Sequence, residues 1–83
     1  MTKPTIHLNG TSRELLFEGY LAASNTVGDA IAALGRIEFN SRDYYPQGPS
    51  AWKAAVLEHS SRLERLAAVK QELMDLAEHC QEA

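Results

Sequence analysis

The sequence predicts an all-α fold: an antiparallel helical hairpin of two long helices with a short extended N-terminal arm, assembling into a helical bundle. Three observations carry this expectation. Trp52, Val56, His59, Leu63, Leu66, Lys70, Leu73, Ala77 and Cys80 recur in alternating steps of four and three, the spacing that lines up one face of a helix. Leu16, Tyr20, Val27, Ile31 and Leu34 repeat the same period earlier in the chain. Between the two runs Pro46, Gly48 and Pro49 forbid continuous helix, so the chain must turn there.

Residues 1–10 read as an extended arm, in which Ile6 and Leu8 alternate with Thr5, His7 and Asn9 and Asn9-Gly10 makes a closing turn. A lone strand is not stable in water, so the arm must lie on the helices or pair with the arm of another subunit. Asn9-Gly10-Thr11 has the form of a glycosylation acceptor but is read here as part of that turn. Thr11-Ser12-Arg13-Glu14 has capping-box form, with the Thr11 hydroxyl accepting from the Glu14 N–H and the Glu14 carboxylate from the Thr11 N–H.

Helix 1 is therefore assigned to residues 11–38. Ala23 and Ala30 complete its apolar face. A second row, Gly19, Ala23, Thr26, Ala30 and Ala33, holds only small residues and is expected to form a tight seam against a neighbouring helix. Gly19 and Gly28 each cost about 1 kcal/mol relative to alanine in a helix interior, which close packing or a bend near Asn25 to Gly28 would offset. Gly35 offers a C-cap, although Arg36 to Phe39 could continue for one more turn.

A loop at 39–49 leads to helix 2, assigned to residues 50–80, with Gly48 or Ser50 as its cap and Pro49 tolerated at its first position. Ala55, Val69 and Leu76 broaden its stripe. At 1.5 Å per residue helix 2 would be about 45 Å long and helix 1 about 35 Å. Part of helix 2 should then be unpaired within one chain. Leu63, Leu66 and Leu73 are expected to pack between subunits, most simply in a homodimer that forms a four-helix bundle.

Composition narrows the function. Eighty-three residues make one small domain with a thin core. Cys80 is the only cysteine, which excludes an internal disulfide and a cysteine-based zinc cage and fits a reducing cytoplasm. His7, His59 and His79 lack the i, i+4 spacing of a helical metal site, so no metal or other cofactor is expected. The net charge of −3, with bases interleaved among acids, argues against a duplex nucleic acid partner. No run approaches the roughly 20 apolar residues of a membrane span, and the first residues do not form an export leader. A cytoplasmic protein without a membrane partner is the expectation.

Few residues suggest catalysis. His59 and Lys70 fall within the apolar stripe, where a hydrogen-bonded core histidine and a snorkelling or register-setting lysine account for them. Glu58, Glu72, Asp75 and Glu78 lack the Glu-x-x-His spacing of carboxylate metal sites and read as a solvated face. Cys80 has no basic neighbour at helical spacing to activate it. Nucleophile-elbow and phosphate-loop motifs are absent. The chain is expected to bind rather than catalyse.

The loop is where binding chemistry concentrates. Tyr44, Tyr45 and Trp52 offer flat faces for a ring, Arg42 a planar fork for phosphate, and Asp43 and Gln47 groups that read hydroxyls or base edges. His7 and Asn9 of the arm are expected nearby, and the helix 2 N-terminus favours an anion. The residues equally allow a structural turn, in which Arg42 pairs with Asp43, Pro46 stacks on an aromatic ring and the loop caps the bundle.

The run Asn40-Ser41-Arg42-Asp43-Tyr44-Tyr45-Pro46-Gln47-Gly48, behind Ile6-His7-Leu8-Asn9-Gly10-Thr11, resembles small accessory proteins of bacteriophages and prophages that carry an Asn-x-Arg-Asp-Tyr-Tyr-Pro-Gln-Gly loop. The likeness covers most of the chain. It implies an inhibitor of host defence located in the host cytoplasm. Such an inhibitor would sequester a small anionic nucleotide-like signal in pockets between subunits, or alternatively block a host defence protein.

Overall fold

A computed structural model describes residues 1–83 and contains two long helices, α1 (Arg13–Gly35) and α2 (Pro49–Glu82), with no strand. The helices run antiparallel as a hairpin, 61 Å long and only 21 by 17 Å across. The hairpin is thus one layer of two helices, and just three residues are buried: Ser24, Ala77 and Cys80.

Helix α1 starts one residue later than the capping pattern suggested. Ser12, not Thr11, is the cap: its extended backbone lets Oγ accept from the Leu15 N–H at 3.2 Å. The helix also stops at Gly35 rather than near 38. The Arg36 N–H closes the last turn onto the Ala32 and Ala33 carbonyls, both at 3.2 Å, and the chain then leaves the helical path. The reason is tertiary, since Phe39 packs against two residues of α2 that a continued helix would carry it past.

Leu16, Phe17, Tyr20, Leu21, Val27, Ile31 and Leu34 are half-buried around Ser24. The Ser24 hydroxyl donates to the Lys70 carbonyl at 3.3 Å, which fixes the register of the two helices. One turn further along, the Lys70 stem crosses Gly28, where an added Cβ would lie 3.0 Å from Lys70 Cε. That neighbour is the flexible end of a side chain, so close approach of the helices does not by itself require glycine at 28. Nor does it explain the small-residue row: Gly19, Ala23, Thr26, Ala30 and Ala33 are all exposed, so they do not form the seam between α1 and α2.

Helix α2 follows its stripe closely. Trp52, His59, Leu63, Leu66, Lys70 and Leu73 are half-buried and Ala77 and Cys80 buried, while Val56 and Val69 are largely exposed. Leu63, Leu66 and Leu73 share the face of Lys70 and so point to α1 of the same chain. Within the single chain all three are half-buried.

At about 51 Å against about 35 Å, α2 still outruns α1. The first turns of α2 are not left bare. The connection folds back along them through two short 3₁₀ turns, Ser41–Asp43 and Tyr45–Gln47, and ends at Gly48. Gly48 has φ 110° and ψ 164°, a conformation essentially restricted to glycine, and Pro49 then occupies the first helical position.

At the opposite end the arm lies on the C-terminal turns of α2. Pro4 and Ile6 are half-buried, and the Pro4 carbonyl sits 2.7 Å from His79 Nε2. Leu8 does not continue the alternation. It falls in a turn closed by Gly10 N–H to His7 O at 3.1 Å and is 99% exposed. Cys80 is fully buried here.

Candidate functional site

The connection is organised by Phe39, the aromatic residue that leads out of α1. Its ring centroid lies 4.8 Å from that of His59, 5.4 Å from Trp52 and 6.3 Å from Tyr44, with Tyr44 in turn 5.9 Å from Trp52. Edge-on and tilted geometries of this kind favour aromatic pairs. Trp52 and His59 are seven residues apart on α2, two turns along one face, and Phe39 spans them.

Because the connection leans on one flank of α2, an open cleft of about 580 Å³ remains between it and the helices. Leu34, Ile37, Phe39 and Tyr44 form one wall and Ala51, Ala54 and Ala55 the other. Gln47, Glu58, His59 and Arg62 supply the polar groups. Alanine at 51, 54 and 55 keeps the α2 wall low, which leaves room for the cleft. A smaller concavity of about 250 Å³, lined by Arg62, Arg65 and Leu66, adjoins through Arg62.

Arg62 and Glu58 form the only salt bridge, at 3.8 Å and with both side chains more than half exposed. So long and wet a pair holds the guanidinium weakly and leaves its donors open to an incoming anion. No group of three or more His, Cys, Asp or Glu side chains converges at a metal-binding spacing.

The residues nominated from sequence divide sharply. Tyr44 and Gln47 line the cleft, and Trp52 backs it through its contacts with Phe39 and Tyr44. Asp43 is committed to the backbone, its Oδ2 accepting from the Asn40 N–H at 2.8 Å, so it does not pair with Arg42. Arg42 is exposed without an ionic partner, and Tyr45 is 70% exposed, both outside the cleft. His7 and Asn9 are corrected outright. The arm docks at His79, and the 27 residues back to Trp52 place it about 40 Å from the connection along α2. His7 instead folds over its own turn, where a Cβ on Gly10 would meet its Nε2 at 2.8 Å.

Sequence reasoning gave no role to Phe39 or Arg62, and read His59 as a core group and Glu58 as part of a solvated face. A signal was available: 58, 59, 62 and 65 follow helical spacing on the flank beside the loop. Comparison of the chain with family models, curated proteins and solved structures found no match.

Proposed function

We propose that the chain is a non-enzymatic binding protein that holds a small anionic, nucleotide-like ligand in the cleft between the connection and α2. The observation that carries this reading is the cleft itself: about 580 Å³, within the size range of small-molecule sites, mostly apolar and aromatic, with a few polar groups at its edge. A planar ring would lie along Phe39 and Tyr44. Its anionic group would reach Arg62 and, through the adjoining concavity, Arg65. Gln47 and Glu58 offer amide and carboxylate groups to hydroxyls or ring edges. The reading moves the anion site from Arg42 to Arg62, since Arg42 lies outside the cleft.

The resemblance of the Asn40–Gly48 run to phage and prophage proteins supports a use for such binding, namely withdrawal of a nucleotide signal from a host defence pathway. The exposed Tyr45 and Arg42 at the tip of the connection favour a second reading, in which this end blocks a host protein.

Thermal unfolding with cyclic nucleotides and ADP-ribose-type compounds tests the first reading. A ligand at a hundred times its Kd stabilises by about 2.7 kcal/mol, roughly 10 to 20 °C in a domain of this size. Arg62→Ala should remove most of that shift and Arg42→Ala should not. No shift with any compound, or recovery of the nucleotide in altered form, would overturn a non-enzymatic binding role.

A further inference from the structure

We infer that the ligand of the cleft, on the reading just proposed, carries a diphosphate rather than a single phosphodiester, and that Arg65 selects for it. Arg62 lines both the cleft and the adjoining concavity of about 250 Å³. The only other residues lining that concavity are Arg65 and Leu66. Two guanidinium groups and no carboxylate therefore face the space next to the cleft.

Helical spacing puts the two charges side by side, since residues three apart on a helix have Cβ atoms about 5 to 6 Å from each other. Arg62 has Glu58 one turn before it, at 3.8 Å. Arg65 has Ser61, Arg62, Ala68 and Val69 at the three- and four-residue positions, so no acid lies at helical spacing from it. Glu64 precedes it directly and so points to another side of α2. The Arg65 Nε–H donates to the Ser61 carbonyl at 3.3 Å, which folds the side chain back along α2 and leaves its terminal amino groups without a protein acceptor.

Like charges so placed repel, and an anion that bridges them removes the repulsion. A phosphodiester carries one negative charge, which one guanidinium fork satisfies. A diphosphate brings a second phosphoryl group to the second fork. Glu58 sets the direction: it stands one turn before Arg62, and Arg65 nearly one turn after, so the more highly charged end of the ligand lies toward Arg65 and away from the carboxylate. The wider field agrees. From Leu34 to Leu66, the span that holds every residue lining the two spaces, bases outnumber acids by one, whereas in the rest of the chain acids outnumber bases by four. An acidic protein thus presents its basic region at the cleft.

Inorganic pyrophosphate and inorganic phosphate, titrated at matched ionic strength into the isotopically labelled full chain, test the paired site without a ring. The Nε–H resonances of Arg62 and Arg65 should shift with pyrophosphate at a Kd at least fivefold below that for phosphate, while those of Arg36 and Arg42 stay in place. Arg65→Ala should bring the two anions to equal affinity with far-UV dichroism unchanged, because the side chain is exposed. Adenosine diphosphate and cyclic adenosine monophosphate test the complete ligand through the fluorescence of Trp52, the only tryptophan, whose ring lies 5.9 Å from that of Tyr44. The diphosphate should bind at least tenfold more tightly, and Arg65→Ala should weaken it at least tenfold but the cyclic ester less than twofold. Pyrophosphate shifts at Arg62 and Arg65 without a Trp52 response to either nucleotide would overturn the ring site and uphold the diphosphate site. Equal affinity for the two nucleotides, or pyrophosphate binding no tighter than phosphate, would overturn this inference and leave the binding role of the cleft standing.

Discussion

His79 Nε2 lies 2.7 Å from the carbonyl oxygen of Pro4, a residue 75 positions away in the sequence. A carbonyl oxygen can only accept, so the imidazole donates through Nε2–H. This bond ties the arm to the last turns of α2, where Ala77 and Cys80 are the most buried apolar residues of the molecule.

His79→Ala should release the arm. The lost hydrogen bond costs about 1 kcal/mol, which for a domain of this size lowers Tm by roughly 4 to 8 °C. The sharper readout is the Cys80 thiol, fully buried in the intact protein. Its labelling by a thiol reagent should accelerate at least tenfold in the variant. An unchanged rate would mean that α1 alone shields it.

Phe39→Ala should destabilise the hairpin by about 2 to 3 kcal/mol, toward the lower end for aromatic truncations because the ring is only half-buried. Trp52 fluorescence should shift to longer wavelength as water reaches the indole. Arg42→Ala and Tyr45→Ala, at exposed positions, should change stability by no more than about 0.5 kcal/mol. Denaturant unfolding of the three variants side by side separates the anchoring part of the connection from its free surface.

Gly48→Ala should cost about 1 to 3 kcal/mol, because φ 110° with ψ 164° is a backbone state that a Cβ disfavours. Space is not the obstacle, since a Cβ there would touch nothing within 4 Å. A urea midpoint equal to that of the unmodified protein would show that the turn before α2 can relax at no cost.

Gly28→Ala should have the opposite sign. Alanine gains up to about 1 kcal/mol of helix propensity, and the atom it would approach at 3.0 Å is Cε of the flexible Lys70 stem, which can move aside. Ser24→Leu, by contrast, forces a large side chain into a fully buried position where the two helices meet, and should cost about 1 to 3 kcal/mol. Equilibrium unfolding of both variants checks the pair of signs.

The sequence by itself determined the helices. Periodicity marked the stripe from Trp52 to Cys80 and the run from Leu16 to Leu34, and Pro46, Gly48 and Pro49 marked the break, because these signals depend only on local backbone geometry. Tyr44, Gln47 and Trp52 were legible for the same reason: they stand in or beside the one segment that cannot be helix. Tertiary structure decided which chemically plausible groups meet. It drew Phe39 off the end of α1 onto Trp52 and His59, opened the cleft beside Arg62, and held His7 and Asn9 at the other end of a rod 61 Å long. It also turned the small-residue row outward, since either α1 face satisfies the helical period and only the Ser24 to Lys70 register selects the one that faces α2. A period of 3.6 residues fixes which side chains share a face, and only the partner packed there fixes what that face is for.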